Sequence, residues 1–236
     1  MHDAVHLGAV SLQIGIAAGG VLAVRRGDAA AAFNAAFALT VALFPFGLSV
    51  TGPPAVAEAV AGSSELLLWV ALAGFLHVVG MLGWYDTVWW WDHLTHTVSA
   101  ALAASIVYSG LVVISRPPVG LGLTSVALAG ATVGFVLALG VFWELGELFA
   151  RDIAEWLDIE PVLVHYGWRD TALDLVFDLV GALVVVVMDL SLSVAIAATS
   201  PTATRTALVW TGWAVSGGSA LLATGLVASH YTSESR

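Results

Sequence analysis

Three short stretches of this chain hold groups able to bind a cation or move a proton. Asp92, His93 and His96 stand within five residues; Glu144 and Glu147 are spaced i,i+3; Asp170, Asp174 and Asp178 step i,i+4 behind Arg169. Hard carboxylate oxygens beside imidazole nitrogens suit magnesium, manganese or zinc better than they suit a soft metal. The same groups suit a proton-sharing network. Arg151 and Arg169 add guanidinium groups of the kind that contact phosphate. His96, Glu144, Asp174 and Asp178 are the leading functional candidates, with Asp92, His93 and Glu147 as further metal ligands and Asp170, Arg169 and Arg151 as ligand-binding residues.

The elements that must position these groups are membrane spans. The 236 residues are 59% hydrophobic and 10% charged, which excludes an ordinary soluble domain and indicates an all-α, polytopic membrane bundle. A span needs about 20 apolar residues. By that rule seven are expected, near 4–24, 29–50, 65–85, 92–115, 119–150, 169–190 and 204–229, with a frayed tail at 230–236. The first lacks a basic n-region and reads as a span, not a signal peptide. Five Arg (25, 26, 151, 169, 236) against two (116, 205) place the N-terminus outside, the C-terminus in the cytoplasm and the chain in the cell membrane.

Alternation then gathers the three stretches. One opens the fourth span, one closes the fifth and one opens the sixth, so all face the same membrane surface whatever the absolute orientation. Asp92, His96, Ser99 and Ala103 fall on one helical stripe, with His93 on its flank. Gly140 lies one turn below Glu144, and Gly181 below Asp178, leaving room for the helices to close beneath the polar cluster.

Six carboxylates so placed are costly. A charged side chain costs about 2.5–3.5 kcal/mol at the centre of a span and less near its ends. Protonation, pairing with Arg151 or Arg169, or a bound cation would each relieve that cost. Plainer roles exist for several groups. Asp170 suits an N-cap, Glu147 and Arg151 suit an i,i+4 ion pair, and Asp152, Glu155, Asp158 and Glu160 suit a solvated loop or surface helix. Trp89-Trp90-Trp91 reads as an interfacial anchor. Gly74, Gly80 and Gly83 flank His77 on a small-residue stripe for helix packing, with His77 expected to hydrogen-bond to a neighbouring helix.

A net charge of -10 argues against nucleic acid as a partner; membrane lipids are the expected surroundings. The oligomeric state stays open. The absence of Cys excludes thiolate metal sites and disulfides, and the absence of Lys excludes a retinal Schiff base. Abundant Ala, Val, Gly and acid suggest a salt-adapted source.

The order of Asp92-His93-Leu94-Thr95-His96, Phe142-Trp143-Glu144-Leu145-Gly146-Glu147 and Trp168-Arg169-Asp170-Thr171-Ala172-Leu173-Asp174 resembles the YjdF-type family of uncharacterised inner-membrane proteins, itself similar to the VanZ-like family. The likeness covers about residues 85–185 and implies roles for Asp92, His96, Glu144, Glu147, Asp170, Asp174 and Gly181. His93 stands where the family often has Lys, Glu147 where VanZ-like proteins tend to have Gln, and Asp178 where they tend to have Asn. The more acidic site favours a cation or shared protons. The resemblance supports the site and supplies no reaction; the functional expectations come from the site's own groups. One is a divalent-metal-dependent enzyme acting on a phosphorylated or polyprenyl-type lipid. The alternative is a non-enzymatic ion, proton or small-ligand protein, or a purely structural polar cluster.

Overall fold

The computed structural model describes residues 2–159, 161–163 and 165–233, and every regular element among them is helical. α1 (His2–Arg26) and α2 (Ala29–Thr51) form a hairpin. Its turn uses Gly27 at φ 72° and Asp28, whose side chain accepts from the Ala31 amide at 2.8 Å as an N-cap. α3 (Pro54–Ala61) is a short helix within the expected break before the third span. α4 (Ser64–Val79) closes a first group with α1 and α2 around Ile16, Ala35, Ala38, Ala42 and Val78. Gly74 serves that packing: a Cβ there would meet Ile16 at 3.2 Å and Ala38 at 3.5 Å.

Gly80 and Gly83 do something other than extend that stripe. They lie in a π-helical turn, Gly80–Trp84, ahead of the one-turn α5 (Tyr85–Thr87). Gly83 takes φ 115°, a value that a side chain would strain, and a Cβ on Gly80 would collide with the Tyr85 ring. The turn thus folds Tyr85 back over the end of α4.

The second group comprises α6 (Trp91–Ser115), α7 (Ser125–Leu157) and α8 (Trp168–Met188). α6 and α8 share the most extensive interface. Gly181 makes it possible, because a Cβ there would run into the Thr97 carbonyl and reach the Ala101 amide. Below it, Ala100, Ala101, Ala104, Val136, Ala182 and Val185 are buried together. α7 starts later and runs further than expected, so Asp152 and Glu155 belong to its last turns, and Asp158 caps it at φ 55°. α9 (Val194–Ala198) leads to α10 (Pro201–Ser233), which packs on α7 and α6.

Among the described residues, six helices are long and apolar enough to cross a membrane: those of α1, α2, α4 with its π turn and α5, α6, α7 and α8. The expected seventh, α10, has ample length at 33 residues. Its Thr, Ser and Gly content and its Trp210 and Trp213 dilute its hydropathy, and it is not among the six. The expected tail falls partly at residues 234–236, outside those described.

The tryptophan run divides by position. Trp89 is 81% exposed, as an interfacial ring should be. Trp91 is 7% exposed, and its indole N–H donates to the Leu76 carbonyl at 3.0 Å. It ties α6 to α4 and does not anchor the chain.

Candidate functional site

His96 is the hub. It sits in the second turn of α6, where the i,i+4 rise brings it above Asp92 and opposite the first turns of α8. One ring nitrogen, Nδ1, lies 3.1 Å from Asp178 Oδ1. The other, Nε2, lies 3.9 Å from Asp92 Oδ1 and 3.9 Å from Asp174 Oδ1, beyond hydrogen-bond reach of both. His93 stacks on Phe177 of α8 at 4.5 Å and 9°, and its Nδ1 is 3.6 Å from Asp174 Oδ1. Asp174 therefore stands between two imidazoles, buried to 2% exposure.

α7 approaches from the other side. Gly140 lets it do so: a Cβ there would strike the Asp178 carboxylate and crowd Leu175. Glu144, 4% exposed, accepts a hydrogen bond from Thr171 of α8 at 2.7 Å through Oε2. Glu147 accepts from the Trp143 indole at 2.8 Å. It forms no ion pair with Arg151, which binds Asp152 at 2.8 Å and approaches Glu155 at 3.9 Å. Arg169 is exposed and lies over the Trp168 ring. Neither guanidinium is paired with a site carboxylate among the described residues. Asp170 is not the cap of α8 either. Gly167 holds that position at φ 114°, because α8 begins three residues earlier than a capping Asp170 requires.

Three polar atoms in this cluster are buried without a hydrogen-bond partner: Glu144 Oε1, Asp174 Oδ1 and His93 Nδ1. Two triads bring ligand atoms within 4.8 Å of one another, Asp92–His96–Asp174 and Glu144–Glu147–His165. Donors spaced this way can surround a divalent ion. Equally, imidazoles set against carboxylates can pass a proton between them.

Several residues around the site escaped the sequence reading. Asn34 of α2, 4% exposed, donates to the Ala30 carbonyl at 2.9 Å and the Val162 carbonyl at 2.7 Å. Its Oδ1 lies 3.0 Å from His77 Nε2, and His77 Nδ1 lies 2.9 Å from the Tyr85 hydroxyl. The expected bond from His77 to a neighbouring helix thus goes to Asn34. Tyr166 donates to Asp86 at 2.8 Å, and burial, then that bond, push its phenol well above the usual range, so it remains a neutral donor. An Asn inside an Ala run of a span was the available signal for Asn34; His165 and Tyr166 stand in an irregular loop that offered none.

A cavity of about 290 Å³ opens beside the cluster, where the two helix groups meet. Its lining includes Asp92, His96, Glu147, Asp170 and Asp178 together with the apolar Phe37, Val41, Val70, Met81, Leu102 and Leu139.

The family described as "Predicted membrane protein (DUF2238)" matches residues 7–194. The chain belongs to that family. The match runs from α1 into α9 and takes in every site residue above, well beyond 85–185, and it is consistent with the YjdF-type resemblance. No curated protein and no solved structure matches the chain.

Proposed function

We propose that this membrane protein holds a divalent cation between Asp92, His96 and Asp174 and uses it to act on an amphipathic, phosphorylated or polyprenyl-type lipid at one membrane face. One observation carries the reading: His96 commits Nδ1 to Asp178 and presents Nε2 to two carboxylates with which it makes no hydrogen bond. Metal-bound histidines are oriented in this way, the second nitrogen held by a carboxylate that fixes the tautomer. Donors about 2.0–2.2 Å from an ion stand roughly 3–4 Å apart, and the 3.9 Å separations fall in that range. Three protein donors leave positions open for water or a phosphate oxygen, which the ion would polarise.

The cavity supports the lipid half of the proposal. Its lining joins residues of the cluster to apolar side chains that suit a hydrocarbon chain, and Phe37 and Val41 of that lining are exposed. The stretch between Asp178 and the far-end Asp189 is filled by Ala104, Ala182 and Val185, each 0% exposed, which favours a binding site over a through-path. Orphaned buried oxygens speak against a mere staple, since structural polar groups are normally satisfied. In the fuller reading α10 is a seventh span, the site faces the cytoplasm and the family is related to VanZ-like proteins.

Metal analysis of the detergent-purified protein tests this. Stoichiometric magnesium, manganese or zinc in wild type, lost in Asp174→Asn and in His96→Ala, is the expected result. Folded wild type that takes up none of the three ions overturns it. The second reading then stands, a proton-sharing network, favoured by the placement of His93 and His96 on either side of Asp174.

A further inference from the structure

We infer that the site holds a second hard divalent cation, bound by Glu144, Glu147 and His165, and that the loop between α7 and α8 is the strap that completes it. The inference rests on reading the cluster as a cation centre and adds an ion to it.

Glu144 supplies the first observation. Its Oε2 is satisfied by Thr171, while Oε1 is buried with no partner, in a residue only 4% exposed. An unpaired carboxylate oxygen at that depth is costly unless something binds it. Donor atoms of Glu147 and His165 lie within 4.8 Å of a Glu144 oxygen and of each other. The triad shares no residue with Asp92–His96–Asp174, so the two are separable by mutation.

How His165 reaches the site is the second observation. It belongs to neither helix, yet the loop is tied down on both sides of it. The Val162 carbonyl accepts from Asn34 of α2 at 2.7 Å, and the Tyr166 hydroxyl donates to Asp86 of α5 at 2.8 Å. Asn34 is itself held by His77 at 3.0 Å. The first helix group thereby pins a loop of the second, and the ligand lies between the two pins. Two carboxylates and an imidazole select a hard or borderline ion such as manganese(II) or magnesium. Hard divalent cations polarise and neutralise phosphoryl oxygens; the substrate class that follows is a lipid phosphate ester.

The test equilibrates full-length, detergent-purified protein with manganese(II), counts ions per chain and records the manganese electron-spin resonance spectrum. About two ions are expected in wild type and about one in His165→Gln and in Glu147→Gln. Asp174→Asn should remove the other ion and leave the His165 site filled. His165 is in a loop and Glu147→Gln is isosteric, so both variants should keep the wild-type unfolding midpoint in chelator. An ion count unchanged from wild type in both His165→Gln and Glu147→Gln overturns the second site. If wild type then holds one ion that Asp174→Asn loses, the first site survives alone; if wild type holds none, both readings fall.

Discussion

The seam between α6 and α8 carries polar groups at both ends, and the two ends are built differently. At the far end everything is satisfied. Ser105 donates to the Leu190 carbonyl at 2.7 Å and accepts from the Leu192 amide at 3.1 Å; Ser109 accepts from the Ser193 amide at 3.1 Å; Tyr108 donates to Asp189 at 2.8 Å. At the near end the same two helices bring together Asp92, His93, His96, Asp174 and Asp178, and two of those residues keep an orphaned buried atom. Hydroxyls and backbone groups can donate and accept in turn and so close their own network. Carboxylates only accept unless they are protonated. The far end is a staple for the loop after α8, whereas the near end keeps buried polar atoms that its own side chains leave unpaired.

That contrast can be broken at three places. Gly181→Val should have the largest effect, because the added side chain meets α6 backbone directly. We expect a loss of about 3 kcal/mol or more, read as a fall in the thermal unfolding midpoint, with both ends of the seam disturbed and cation uptake lost. Ser105→Ala comes next. It strands a half-buried carbonyl and a half-buried amide together and should cost about 1–2 kcal/mol, with manganese uptake at the near end unchanged. Asp174→Asn should be the mildest for stability. Measured in chelator, its unfolding midpoint should equal or exceed that of wild type, since it replaces a buried carboxyl whose Oδ1 already has no hydrogen bond to lose. A large destabilisation by Asp174→Asn under those conditions would make the near end a staple as well, and the distinction would collapse.

Much of this was legible in one dimension. The apolar runs placed all six candidate spans to within a few residues at most ends, because a span is defined by local hydropathy and length. The end of α7 was less legible, since a helix leaving the membrane continues on amphipathic residues that hydropathy alone does not score. At the site, the helical stripe through Asp92, His96, Ser99 and Ala103 was readable from spacing, and all four residues line the cavity. Trp91 was misread for a physical reason. Three adjacent tryptophans point in three directions around a helix start, and composition alone does not tell which of them turns inward.

The sequence by itself determined that the chain is a helical membrane protein, which residue types its polar clusters contain, and that alternate span ends bring those clusters to one surface. These follow from hydropathy, residue identity and parity, none of which requires knowing how a helix is rotated. Only the tertiary structure decided that His96 gives Nδ1 to Asp178 and leaves Nε2 facing Asp92 and Asp174, that Glu144 and Asp174 each retain a bare buried oxygen, and that a pinned loop brings in His165. Those depend on the mutual rotation and close approach of α6, α7 and α8, set by the missing side chains of Gly140 and Gly181, and on a hydrogen bond that spans 128 residues, from Asn34 to Val162.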